Sequence, residues 1–214
     1  LQDFTPVTNL GNAGGQLLVV HPSVPARTLA ELIAYGKTPG VRLAYGSAGL
    51  GNGSHLAAAL LNLRAGLDMV HVPYKSAGLS ANALMANEVQ LIFISTTASL
   101  QFIKAGRMRA LAYNHPTRAD FLPDVPTVAE AGVPGIAIES GWYGLFAPPR
   151  TPASIVNRLL AEVRVTINSS QVRDKLAASG VVPDGRAPAE FRAFLVDVMK
   201  RYAEAVRAAG IEPQ

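Results

Sequence analysis

The chain contains no cysteine. A disulfide framework and a thiolate metal site are therefore excluded. A cysteine-free chain suits an exported bacterial protein. No apolar run approaches the ~18 residues that mark a membrane-spanning helix. Charge is scarce: 16% of residues are charged against 49% hydrophobic, so a sizeable core can be buried. Nineteen basic and fifteen acidic residues leave a net charge of only +4. The basic residues are scattered, without a stripe interleaved with aromatics, which excludes nucleic acid as a partner and mildly favours anionic ligands. There is no His-Glu-x-x-His or other metal spacing and no Gly-x-Ser-x-Gly elbow. His21, His55, His71 and His115 are dispersed. No catalytic constellation, metal site or cofactor is expected. The chain opens at Leu1, without an initiator methionine or a signal pattern, so a processed or trimmed product is expected.

What the chain does have is concentrated in one stretch, Leu43-Ala44-Tyr45-Gly46-Ser47-Ala48-Gly49-Leu50-Gly51-Asn52-Gly53-Ser54-His55-Leu56. A short apolar strand runs into a loop of small residues, which opens onto an apolar helix over residues 54–63. Gly46, Gly49, Gly51 and Gly53 allow a tight turn and a close approach to a ligand. Ser47, Asn52 and Ser54 add side-chain donors. The first amides of a helix lack partners within it, and its dipole makes that end partly positive. Strand, loop and helix start together predict a seat for a carboxylate or phosphate.

Strands are expected at residues 4–10 and 16–21, with a turn at 11–15. Thr28 caps a helix over residues 29–35. Strands near 41–45, 69–72, 89–94 and 108–113 then alternate with helices near 54–63, 80–86 and 99–104. Such alternation predicts a parallel sheet with right-handed crossovers. Ligands of such sheets bind beyond the carboxyl ends of the strands. Three loops fall there, at 46–53, 73–79 and 95–98. Among their side chains, His55 can face a ligand, Tyr74 can offer a hydroxyl, and Ser95, Thr96 and Thr97 are hydrogen-bond donors. Lys75 is expected in solvent, and His71 at the edge of the core. A short helix around 128–131 and extended segments at 136–139 and 143–147 follow. Thr151-Pro152 reads as a capped helix start. A short helix is expected at 172–178. Phe191, Phe194, Leu195, Val198, Tyr202 and Val206 form one apolar stripe on a last helix over 188–208. Residues 22–140 read as one lobe, and residues 1–21 with 141–214 as parts of a second.

Several stretches together resemble the substrate-binding receptors of tripartite tricarboxylate transporters, the Bug-type family. They are Asp3-Phe4-Thr5-Pro6-Val7, the glycine-rich loop with His55-Leu56, Val72-Pro73-Tyr74-Lys75, Ile103-Lys104-Ala105-Gly106 with Arg109-Ala110-Leu111-Ala112, and the run from Leu122-Pro123-Asp124 to Gly132. Trp142, Gly144 and Ala147-Pro148-Pro149 with Thr151-Pro152 complete the pattern. The resemblance implies an α/β, two-lobed periplasmic-binding-protein-like fold of the type II, Venus-flytrap kind, with parallel or mixed sheets flanked by helices. It implies a periplasmic receptor that closes over a small carboxylate and presents it to a membrane permease. Carried over, Ser47, Ala48 and Gly49 meet the carboxylate, with Asn52 and Ser54 nearby.

Three departures stand out. The family begins about a hundred residues earlier, so the first lobe is expected to be incomplete. The apolar surface left open would then favour a homodimer. Ser76 and Leu79 replace the family's glycine and proline after Pro-Tyr-Lys. Ile94, Ser95 and Thr96 stand where an aspartate is common, which favours a plain carboxylate over an amino acid. The competing reading is a nucleotide-binding α/β enzyme domain. Its ribose-binding acid should end the second strand, whereas Asp68 begins its own.

Overall fold

The structure, a computed structural model, describes residues 1–119, 122–136, 141–178, 181–208 and 210. The chain divides into two compact units. One comprises Leu1–Gly14 and Ser140–Arg201, the other Gly15–Glu139 and Tyr202–Gln214. This differs from the expected division at residues 21/22 and 140/141. The segment after Gly15 supplies a central strand to the larger unit. Ala205, with Tyr202 and Val206, packs into that unit's core.

The larger unit is built on a five-stranded mixed sheet. Its strands are β2 (Gln16–Val20), β3 (Ala44–Ser47), β4 (Val70–Pro73), β5 (Leu91–Ser95) and β6 (Arg109–Asn114), in the order β4-β3-β5-β2-β6. β3 runs parallel to β4 and β5, while β2 is antiparallel to β5 and β6. The alternation of strands and helices pointed to a parallel sheet, and the family resemblance allowed a mixed one; the mixed sheet is what forms. The chain enters this unit at the edge where the other strands end, so β2 must run back against them. Residues 11–15 are accordingly not a hairpin turn.

Helices cover both faces of the sheet. Leu29 and Leu32 of α1 (Leu29–Gly36), with Leu56, Ala57, Leu60 and Leu61 of α2 (Gly53–Ala65), pack on Leu18, Val20, Leu91 and Phe93. On the other face Ala81 and Leu84 of α3 (Ala77–Met85), with Phe102 and Ile103 of α4 (Thr96–Lys104), pack on Leu17, Val19, Ile92 and Ile94. This alternation of buried residues is the period-two pattern of a sheet covered on both sides.

Local chemistry sets the helix ends. Thr28 caps α1 as expected, accepting from Glu31 N–H at 3.1 Å, while the Glu31 carboxylate accepts from Arg27 N–H at 2.6 Å. Gly66, at φ 60°, ends α2 in the left-handed conformation. The expected helix at 128–131 is a hydrogen-bonded turn instead. It holds a capping box in which Glu130 N–H donates to Thr127 Oγ1 at 3.1 Å and Thr127 N–H to Glu130 Oε2 at 2.8 Å. Gly132 stops it after one turn. The box ties the Leu122–Gly132 run to β6, because Val128 N–H donates to Tyr113 O at 2.9 Å and Tyr113 N–H to Pro126 O at 2.8 Å.

The smaller unit holds β1 (Thr5–Asn12), β7 (Trp142–Ala147) and β8 (Val182–Pro183) as an antiparallel sheet in the order β7-β1-β8. Val7 and Ala147 pack against Val156 of α5 (Ala153–Asn168). Trp142, Phe146, Phe191 and Phe194 form an aromatic cluster with centroid separations of 5.4–6.4 Å. Phe191 and Phe194 come from α7 (Pro188–Ala208), which passes from this unit to the larger one after Arg201. α6 (Ser170–Ala178) starts two residues before its expected place. Thr151 does not cap α5. Its hydroxyl donates to Pro148 O at 2.8 Å, and Pro152 takes the cap position without a side-chain bond. Of the extended segment expected at 136–139, residues 137–139 lie outside the described residues.

Candidate functional site

Strands β3, β4, β5 and β6 of the larger unit all end at one edge of the sheet, and β2 begins there. Pro73, Ser47, Ser95, Gln16 and Asn114 consequently stand along that edge, in sheet order. Between β3 and α2, residues 48–52 form the glycine-rich loop.

The loop is folded on its own side chains. Ala48 N–H donates to Ser54 Oγ at 3.0 Å, and Gly49 N–H to Ser47 Oγ at 3.2 Å. Gly51 N–H donates to His55 Nδ1 at 3.1 Å. Asn52 caps α2, its Oδ1 accepting from Ser54 N–H at 3.0 Å and Ser54 Oγ at 3.1 Å. Gly49 and Gly51 adopt φ of 125° and 70°, which glycine alone adopts without strain. Ser47, Ser54 and His55 are buried, while Leu50, Gly51 and Asn52 are exposed. The sequence counted Ser47, Asn52 and Ser54 as side-chain donors at the seat. In the structure they shape the loop, and its amides face neutral oxygens and an imidazole nitrogen.

Beneath the loop lies a stack of three rings. The register of β3 with β4 sets Tyr45 beside His71, with centroids 4.8 Å apart. His55, from the first turn of α2, lies on His71 at 3.9 Å and an interplanar angle of 8°. His71 Nε2 shares a 2.7 Å hydrogen bond with Ser47 Oγ. Burial lowers the His71 pKa to about 4, and repulsion from His55 acts in the same direction. Burial also lowers the pKa of His55. Both imidazoles are therefore neutral near pH 7, and His55 Nδ1 is free to accept from Gly51. Burial pushes the Tyr45 hydroxyl up to about 12.

The remaining expected residues are placed less uniformly. Tyr74 N–H donates to Ser47 O at 3.0 Å, but the Tyr74 hydroxyl reaches Glu88 Oε2 at 3.5 Å. Lys75 is exposed. Residues 95–98 are not a loop. Ser95 ends β5, and Thr96 and Thr97 open α4. Thr96 is buried, while Ser95 Oγ and Thr97 Oγ1 lie 3.4 Å apart. Asp68 precedes β4, at the opposite edge from the loop.

Two polar residues at this edge escaped the sequence reading. Asn114 is 2% exposed, and neither its Oδ1 nor its Nδ2 has a hydrogen-bond partner among the described residues. The buried Oε1 of Gln16, directly across the sheet from it, has none either. The available signal was an amide side chain at one terminus of each strand, opening the apolar β2 and ending β6. His71 was read as a core-edge residue, because its stacking depends on strand register. Elsewhere, the smaller unit has a cavity of about 640 Å³ lined by Leu10, Tyr143, Leu159, Val163, Val172 and Leu176 among others. Its walls are apolar and offer little to a carboxylate.

The family model for the tripartite tricarboxylate transporter family receptor matches residues 1–211. The "UPF0065 protein in tcbD-tcbE intergenic region" of Pseudomonas sp. strain P51 is 37% identical over 204 residues, 95% of this chain and 59% of that protein. The chain thus spans less than two thirds of that relative's length. Among solved structures, Rpa4515 of R. palustris with adipate is 33% identical with a TM-score of 0.89, over 100% of this chain and 71% of that one. MatC of Rhodopseudomonas palustris with bound malate is 30% identical with a TM-score of 0.80, over 95% of this chain and 69% of that one. The expected α/β periplasmic-binding-protein fold is therefore the observed one. From its first residues to position 211, this chain belongs to the tripartite tricarboxylate transporter receptor family.

Proposed function

We propose that the chain is the ligand-binding part of an extracytoplasmic receptor that captures a small carboxylate and delivers it to the permease of a tripartite transporter. It acts without catalysis. The observation that carries this reading is the 48–52 loop at the N-terminus of α2. Its Ala48 and Gly49 amides donate to neutral hydroxyl oxygens. A carboxylate is the stronger acceptor, since charge-assisted hydrogen bonds are about twice as strong as neutral ones. An arriving carboxylate can take over both amides, and the positive end of α2 favours the exchange. Ser47, Asn52, Ser54 and His55 hold the loop ready, while Ser95 and Thr97 border the same edge. The adipate and malate of the two structural relatives fit this ligand class.

A thermal-shift screen of mono-, di- and tricarboxylates, with NAD and ATP as controls, tests the reading. Ligand at 100 times its dissociation constant should add about 2.7 kcal/mol. A shift with a carboxylate supports the receptor. A shift with the nucleotides alone favours the enzyme-domain alternative instead.

A further inference from the structure

The buried amide of Asn114 and the buried Oε1 of the half-buried Gln16 are unexplained by the loop. Their position follows from the alternation of the sheet. Leu18, Phe93 and Ala112 belong to the core on the α2 side, and Leu17, Ile94 and Tyr113 to the core on the other. Gln16, Ser95 and Asn114 each lie two residues beyond a member of the first set, so they face the α2 side. The register pairs Gln16 with Ser95 on one flank and with Asn114 on the other. The three form one polar rung at the binding edge, beyond apolar rungs, and on the face that carries the glycine-rich loop's helix.

This rung is held firmly. Gly15 N–H donates to Tyr113 Oη at 2.6 Å. A Cβ on Gly15 would lie 2.3 Å from Asn114 O, so only glycine permits this approach. Gln16 and Asn114 are thereby fixed side by side, yet the unpartnered atoms of neither bond the other. A buried amide without partners costs stability, and native proteins keep few such groups.

We propose that Gln16 and Asn114 form a subsite that reads a hydroxyl group on the bound carboxylate. The inference rests on the receptor reading above. Asn114 offers a donor and an acceptor whichever way its amide is turned, and Gln16 adds an acceptor. A carboxylate oxygen only accepts, and would leave the carbonyls facing negative charge. An ammonium only donates, and would leave the Asn114 NH₂ facing positive charge. A hydroxyl donates to a carbonyl and accepts from the NH₂, so it satisfies both. The rung itself carries no charge, which suits a neutral group attached to an anion seated at the loop.

The test is calorimetric titration of the whole chain with ligand pairs that differ by one hydroxyl: malate against succinate, and citrate against tricarballylate. The hydroxylated member of the pair that fits should bind at least ~10-fold more tightly, since a site built for a hydroxyl discriminates strongly against its absence. Asn114→Leu should bring that ratio to within about twofold and raise the melting temperature of the unliganded protein, because it removes an uncompensated buried amide. Gln16→Met should weaken the same preference, and serves where Asn114→Leu does not fold. Carboxylate binding with no hydroxyl preference overturns the subsite and leaves the receptor reading standing. An unchanged ratio together with a lowered melting temperature in Asn114→Leu also overturns it, and makes the amide a structural group held by water. Failure of every carboxylate to bind overturns the receptor reading, and the subsite with it.

Discussion

His55 and His71 lie face to face, 3.9 Å apart and within 8° of parallel. One comes from the helix after the glycine-rich loop, the other from strand β4. Each also bonds the loop: His55 accepts from Gly51 N–H, and His71 pairs with Ser47 Oγ. The Gly51 bond requires a neutral His55, because a protonated ring nitrogen cannot accept.

That dependence has a sign. Burial and His55 lower the folded-state pKa of His71 to about 4 from an ordinary value of 6.5. Between these values the unfolded chain binds a proton that the folded chain refuses, so stability is lost as pH falls from about 6.5 towards 4. His55 shifts in the same direction. Melting temperature measured from pH 8 to pH 4 should be flat above pH 7 and fall below it. His71→Phe, which keeps a ring in the stack, should make the fall shallower. A wild-type profile that is flat down to pH 5 contradicts the stack's protonation state.

Gly46 has no room for a side chain. A Cβ there would lie 2.6 Å from Ser80 Oγ, 3.1 Å from Ile92 Cγ2 and 3.2 Å from Val89 Cγ2. Gly46→Ala should cost about 1–3 kcal/mol, the range for overpacking a core. Adding Ser80→Ala should restore part of the loss, because the Ser80 hydroxyl is the nearest obstacle and has no hydrogen-bond partner among the described residues. Denaturant unfolding of the two single variants and the double variant measures that coupling.

Gly49 differs in kind. Its Cβ would meet only Tyr74 O, at 3.5 Å, but its φ of 125° is one that side chains rarely adopt. Gly49→Val should abolish any thermal shift given by a carboxylate, by moving the amides that receive it. The unliganded melting temperature should fall only modestly, because the loop carries little of the core. A carboxylate shift of full size in Gly49→Val would place the seat elsewhere.

Thr127 is 2% exposed and accepts from Glu130 N–H in the capping box. Thr127→Ala should cost about 1 kcal/mol, as loss of a helix cap does. Thr127→Ser keeps the acceptor and should recover most of it. The box braces the run that bonds Tyr113, so amide exchange at Tyr113 and Val128 should quicken in the alanine variant.

The local features were legible because neighbouring residues decide them. The Thr28 cap, the strand–loop–helix passage at 43–63 and the apolar stripe from Phe191 to Val206 each follow from spacing within one segment. The sheet edge where these strands end followed as well, since alternating strands and helices put their connections at one end. The single turn at 128–131 and the early start of α4 at Thr96 were missed, because a few polar residues near a strand end suit either a loop or a first helical turn. The Thr151 hydroxyl shows the same ambiguity, with a carbonyl three residues back competing for it.

The sequence by itself determined the α/β class, the family and the position of the glycine-rich loop. All three are written in local order and in motifs. Tertiary structure alone decided the antiparallel course of β2, the stack of Tyr45, His71 and His55, the pairing of the buried Ser47 with His71, and the meeting of Gln16 with Asn114. Each of these depends on which strands pair and in what register. A shift of one residue would send every side chain to the other face of the sheet. Register is set by the packing of whole elements, and residues 98 positions apart, such as Gln16 and Asn114, become neighbours only when the sheet closes.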